Sequence, residues 1–217
     1  KEIPDHIHVY YYDEIVTYAQ TNERSNRVAN FLKEQGVAKG DICSVMILNS
    51  PEVYYSLFGI QKLGAIAGSI NYMLAGPEIQ YVLDDSKPKV AFVGSEFMAA
   101  FAKGYELAQH KPIVVEVVTG TEHGCDIAGL TLGDILNRYP ADEALVPQSG
   151  SDPFLVLYSS GTTGKPKGVL LSNRNQFANC KDVARFGAYN PQDVFLLLAP
   201  MFHTSPICVW SYPLTYM

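Results

Sequence analysis

The sequence is poor in positive charge: 16 Lys and Arg stand against 22 Asp and Glu, for a formal net charge of -6. A nucleic-acid partner is therefore not expected, because binding a phosphate backbone needs a basic footprint that displaces condensed counterions. Cysteine is sparse as well. Cys43, Cys125, Cys180 and Cys208 lie far apart with no C-x-x-C pair, which supports neither a zinc site nor a disulfide framework and fits a reducing, cytoplasmic setting. The N-terminal stretch KEIPDHIHVYYYDE carries acidic residues where a secretory signal would have its apolar segment, so secretion is not expected. The 24 residues from Val194 to Met217 contain no charge and are long enough to cross a bilayer. Pro200, Pro206 and Pro213 interrupt them, however, and with His203, Thr204 and Ser205 they predict a buried strand, a loop and the start of a core helix. No transmembrane segment, internal repeat or low-complexity run is expected.

What is present is an ordinary globular composition, 47% hydrophobic and 18% charged over 217 residues, enough for one large domain or two small ones. Thr17 and Gln20 form a capping-box pattern at the head of a helix that runs to Gly36. The apolar run from Ile42 to Leu48 predicts a strand. Ser50 then stands as the cap of a second helix with Pro51 at its first position, ending at Gly64. Strands AIAGSI, KVAFV and PIVVEVV alternate with helices PEIQYVLDD and FMAAFAKGYELA. This alternation predicts an α/β fold of mostly parallel βαβ sheets with helices on both faces, which explains why the strands are unbroken apolar runs. The polar stretch PQSGSDP near residues 147–153 divides a first subdomain, 1–148, from the start of a second βαβ-like one, 149–217.

The informative segment is FLVLYSSGTTGKPKGVLLSNRN, residues 154–175. Gly161, Gly164 and Gly168 allow positive φ and close backbone approach, so that N–H groups can face an anion. Ser159, Ser160, Thr162 and Thr163 supply hydroxyls for phosphate oxygens or a metal ion. Lys165 and Lys167 add charge, and Pro166 stiffens the loop between them. A nucleoside-triphosphatase P-loop would need Ser or Thr after Gly164 and Lys165, where this chain has Pro166. The loop also leads into the apolar strand GVLLS, whereas a P-loop opens a helix.

The run Ser160 to Gly168, S-G-T-T-G-x-P-K-G, resembles the signature of the adenylate-forming superfamily of acyl-CoA synthetases, peptide-synthetase adenylation domains and luciferases. Eight specified residues at average usage match by chance on the order of 10⁻⁸ to 10⁻⁷ across such a chain. TYAQTNERSNRVANFLKEQGVAKGD, NSPEVYYSLFGIQKLGAIAGSIN and APMFH resemble further segments of that family in the same order. The resemblance implies a two-step reaction on a small-molecule carboxylic acid. ATP gives an acyl adenylate and pyrophosphate, and then a thiol, commonly coenzyme A, displaces AMP. It implies that Ser159, Ser160, Gly161, Thr162, Thr163, Gly164, Lys165, Pro166 and Lys167 hold the nucleotide, with Lys167 the foremost phosphate contact and Ser159 a hydroxyl that helps hold Mg²⁺. Phe202 and His203 resemble the aromatic and histidine pair beside the acyl pocket. Amino-acid-activating members usually have an aspartate where this chain has His203, so fatty, aryl or small cyclic acids are expected. Ser205 and Pro206 depart from the small residue or glycine of many relatives, which leaves the pocket's shape open.

His6 and His8 alternate along an apparent edge strand, Asp84 and Asp85 form the charged end of a helix, and Tyr10, Tyr11 and Tyr12 fit packing or an interface. The family's adenine and ribose contacts, principal acidic Mg²⁺ ligand and mobile C-terminal domain are not in this sequence, which therefore reads as a fragment of a longer ligase and inactive alone. Its uncharged tail from Val194 predicts exposed apolar surface and self-association, with a homo-oligomer left open. Two other functions stay open, a non-catalytic nucleotide-binding or interaction module and an adenylating enzyme that delivers to a carrier protein.

Overall fold

The computed structural model describes residues 3–119, 127–159, 165–190 and 192–216. Its first elements are a short antiparallel ribbon, β1 (Ile7–Tyr11) and β2 (Glu14–Thr17), turned at Tyr12 with φ of 49°. Helix α1 (Tyr18–Glu34) follows with the capping box in place: Thr17 Oγ1 accepts from the Gln20 amide at 3.2 Å, and Gln20 Oε1 accepts from the Thr17 amide at 2.8 Å. Gly36, just past its end, has φ of +74°, where a side chain would strain the backbone.

The core is a seven-stranded sheet in the order β7-β6-β5-β3-β4-β8-β9. Its strands are β3 (Ile42–Met46), β4 (Ile66–Ser69), β5 (Val90–Gly94), β6 (Ile113–Val117), β7 (Leu130–Thr131), β8 (Pro153–Ser159) and β9 (Lys167–Ser172). Helices α2 (Pro51–Lys62), α3 (Gly76–Ser86), α4 (Met98–Leu107) and α5 (Leu132–Arg138) lie between them. Side chains of opposite parity along β5 and β6 feed two separate cores. Val90, Phe92 and Val115 pack with α1, α2 and α5, while Ala91, Val93 and Val114 pack with α3 and α4. The sheet is thus covered on both faces, as its apolar strands require. All pairings from β7 to β8 are parallel.

The sheet crosses residue 149 without a break, since β8 pairs with β4. Beyond that point the expected βαβ-like unit is absent: β8 and β9 form an antiparallel pair. The seven-residue connection between them is too short for a parallel crossover, which needs a dozen residues or more. Helix α6 (Asn173–Phe186) follows, then a π-helix (Ser205–Ser211) and α7 (Tyr212–Tyr216). Among the described residues no helix is long and apolar enough to cross a membrane.

Two local expectations fail. Ser50 sits at the cap position of α2, but its hydroxyl makes no cap hydrogen bond, and Oγ is buried without a partner among the described residues. Only its carbonyl accepts from the Val53 amide, at 3.2 Å. The strand expected from Val194 also does not form, because no neighbouring strand among the described residues offers it a ladder. Val194, Leu196 and Leu198 are 77%, 75% and 79% exposed, so the apolar surface expected of this segment is present.

Candidate active site at the carboxyl edge of the sheet

From β3 the chain steps to β4 on one side and then crosses back to β5 on the other. In open parallel sheets such a reversal leaves a crevice at the carboxyl ends of the strands, where ligands bind. The segments after β3, β4, β5 and β8 all emerge on that edge.

Aromatic side chains gather there. Tyr72, just past β4, stacks on Phe97 beyond β5, with centroids 4.8 Å apart and planes 4° from parallel. The buried Phe202 meets Tyr72 edge-on at 4.6 Å, and the exposed His203 ring lies 4.2 Å from that of Phe202. Asn49, just past β3, sets this segment in place. Its amide donates to the carbonyls of Ala199 at 2.8 Å and Leu197 at 3.4 Å, and its oxygen accepts from the Met201 amide at 2.8 Å. The structure therefore brings the Phe202–His203 segment to the same edge of the sheet as Ser159 at the end of β8.

Of the loop residues, Ser160, Gly161, Thr162, Thr163 and Gly164 lie outside the described residues. Ser159 ends β8 and Lys167 begins β9, and the two are register partners. Directly opposed residues of an antiparallel pair share a face, so the hydroxyl and the ammonium project on the same side. Both are exposed, and Lys167 has no partner among the described residues. Lys165 reaches back over the Tyr81 ring at 5.7 Å. Gly168 departs from its expected role because its φ is not positive. It stands opposite Tyr158, and an added Cβ would come within 3.3 Å of that ring. The last glycine of the signature makes room for an aromatic side chain.

Mg²⁺ fits here as part of the nucleotide complex. No group of three His, Cys, Asp or Glu among the described residues could hold a divalent ion, and Mg²⁺ commonly keeps phosphate oxygens and water as most of its ligands. Ser159 offers one hydroxyl toward such a shell. Sequence reasoning did not single out Asn49, Tyr72 or Phe97. Their signal was position, since each falls within three residues of the end of an observed strand.

A cavity of about 570 Å³ lies elsewhere, between β1, the head of α2, residues 193–197 and α7. His8 on its wall is held at both ring nitrogens, by Thr21 Oγ1 at 2.9 Å and Thr215 Oγ1 at 3.2 Å. Thr215 donates its only hydroxyl proton to the Ser211 carbonyl at 2.8 Å. It must therefore accept from His8 Nε2–H, leaving Nδ1 to accept from Thr21. This mostly apolar cavity, with Asp193 on its wall and no Lys or Arg among its described lining residues, does not suit a triphosphate. Burial lowers the His8 pKa from 6.5 to about 4, so the unfolded chain binds a proton that the folded chain refuses. Stability is full above pH 6.5 and falls toward pH 4, by at most about 3 kcal/mol at about 1.4 kcal/mol per unit. Denaturant midpoints measured across this window should drop for the native chain and stay flat for His8→Gln; parallel curves would exclude His8 as the cause.

The family model for AMP-binding enzymes matches residues 1–216. The chain is 34% identical over 192 residues to the long-chain-fatty-acid–CoA ligase of Mycobacterium tuberculosis, covering 88% of this chain and 36% of the relative. It is 32% identical to the indoleacetate–CoA ligase of Aromatoleum aromaticum, covering 87% of this chain and 36% of that one. The structure resembles that of the anthranilate CoA ligase AuaEII in complex with anthranoyl-AMP, with a TM-score of 0.87, 28% identity and coverage of 98% of this chain and 41% of the other. The chain thus spans little more than a third of the length of the curated relatives it matches.

Proposed function

The chain belongs to the AMP-binding enzyme family, and on that premise we propose that it supplies the phosphate-handling edge of an ATP-dependent acid–thiol ligase. The substrate is a small-molecule carboxylic acid, activated as its acyl adenylate and passed to coenzyme A. The observation that carries this reading is the placement of Ser159 and Lys167 on one face of the β8–β9 pair, at the edge where Phe202 and His203 are held. Relatives named as CoA ligases for fatty and aromatic acids support both the acceptor and the substrate class.

The chemical obstacle is charge, because a carboxylate must approach a polyanionic nucleotide at its α-phosphate. As that bond forms, the bond to pyrophosphate breaks and negative charge builds on the leaving group. Lys167 supplies fixed positive charge there, and Lys165 adds to it. The loop residues Ser160 to Gly164 contribute hydroxyls and backbone N–H groups. Preorganised donors of this kind are worth most where charge develops. Mg²⁺ bound with ATP neutralises phosphate oxygens, and Ser159 is the residue of this chain that would hold it. Phe202 and His203 border the acyl group, with no carboxylate at position 203 to pair with an amino acid's ammonium.

Three buried free thiols, Cys43, Cys180 and Cys208, fit a reducing cytoplasmic compartment. The exposed strip of Val194, Leu196 and Leu198 favours self-association.

The test, made on the longer ligase that contains this chain, is exchange of labelled pyrophosphate into ATP, with MgATP binding measured in parallel, across a panel of fatty, aryl and amino acids. Fatty or aryl acids are expected to stimulate exchange while amino acids do not. Stimulation by amino acids alone would refute the substrate class. MgATP binding without exchange for any acid would favour a nucleotide-binding module, and loss of both would overturn the ligase reading.

A further inference from the structure

We propose that one face of α3, carrying Tyr81 and Asp85, is a clamp that fixes the foot of the phosphate loop, making Tyr81 a positioning residue for nucleotide binding. This rests on the ligase reading for its functional consequence, but not for its structural one.

Tyr81 and Asp85 are one helical turn apart, so they lie on the same side of α3. They grip the β8–β9 pair on either side of the loop. Ahead of it, the Tyr158 hydroxyl donates to Asp85 Oδ2 at 2.6 Å. Behind it, the Tyr81 hydroxyl donates to the Pro166 carbonyl at 3.1 Å, and the Tyr81 ring lies under the Lys165 ammonium at 5.7 Å. Burial and the Asp85 carboxylate both push the Tyr158 pKa upward, which keeps that hydroxyl protonated as the donor. Gly168 completes the arrangement by leaving space for the Tyr158 ring.

The need for such a clamp follows from the loop's composition. Residues 160–164 include two glycines and three hydroxyl residues, and glycine loses more conformational entropy on ordering than any other residue. Fixing the loop's ends beforehand lowers the ordering cost that binding must meet. Tyr81 can do this without touching the nucleotide. Its hydroxyl sets the direction of the peptide ahead of Lys167, and its ring face holds Lys165 through a cation–π contact.

The experiment is amide hydrogen exchange on the ligand-free chain, followed by MgATP titration, for Tyr81→Phe, Tyr81→Ala and Lys167→Ala. Loss of one neutral hydrogen bond corresponds to about a five-fold change in a local opening equilibrium. Tyr81→Phe should therefore speed exchange across residues 165–168 about five-fold while leaving β5 and β6 unchanged. Tyr81→Ala, which also loses the ring, should speed it further. MgATP affinity should fall about five-fold in Tyr81→Phe. Unchanged loop exchange in both Tyr81 variants, or an acceleration spread equally over β5 and β6, would overturn the clamp. Lys167→Ala should weaken MgATP binding without altering exchange in the free chain. If Lys167→Ala binds MgATP normally, the phosphate reading fails while the exchange result still decides the clamp.

Discussion

Lys167→Ala in the longer ligase that contains this chain is expected to lower the rate of pyrophosphate–ATP exchange about 10²- to 10³-fold, the usual consequence of removing one preorganised group from where charge develops. Lys167 leads β9 beside Ser159, and no carboxylate among the described residues neutralises its ammonium. Its charge is therefore available to the nucleotide. Lys165→Ala should cost less, because that ammonium already rests over the Tyr81 ring. Arginine at 167 should restore only part of the rate, since a planar fork replaces a compact point charge. Equal losses at 165 and 167 would show that the hairpin does not distinguish the two lysines. A silent Lys167→Ala would remove this residue from the phosphate site.

The second large effect concerns stability. Gly104 lies in α4 where that helix crosses α3, and a Cβ there would fall 2.6 Å from Ile79 Cβ and Cγ2 and 2.8 Å from the Gly76 carbonyl. Atoms of a branched side chain and of the backbone cannot yield by rotation alone, so the helices must separate. Gly104→Val should destabilise the fold by roughly 3 kcal/mol, at the upper end of overpacking penalties, lowering Tm by about 6–12 °C for a chain of this size. Gly133→Ala in α5 is the counter-case. Its Cβ would meet only Thr131 Oγ1, at 3.6 Å, so the better helix propensity of alanine should leave stability unchanged or raised by up to about 1 kcal/mol. Differential scanning calorimetry of the pair gives the contrast, and equal Tm values would refute the steric account. Because α3 carries Tyr81 and Asp85, displacing it at Gly104 should also loosen residues 165–168.

Much of this arrangement was legible before any tertiary contact was known. The capping box of Thr17 and Gln20, the turns at Gly36 and Gly64, and the alternation of apolar strands with helices are local signals, each written within a few residues. The segment from Ser159 to Gly168 stood out by its closely spaced glycines, hydroxyls and lysines, and its reading as a phosphate site rests on the family resemblance. Ser50 shows the limit of such signals: residue type and position match a cap, yet the hydroxyl makes no cap hydrogen bond. The segment from Val194 shows another, since an unbroken apolar run forms a strand only if a neighbour supplies the ladder.

By itself, then, the sequence determined the class of fold and the order of the alternating helices and strands from α1 to β6, because propensity and capping act over short spans. Only the tertiary structure decided that β9 runs antiparallel at the sheet edge, that Asn49 holds the Phe202–His203 segment, and that Tyr81 from α3 reaches the Pro166 carbonyl 85 residues later. These are pairings between distant segments. They are fixed by which edges and faces meet when two cores close around one sheet, a choice that no short stretch of residues contains.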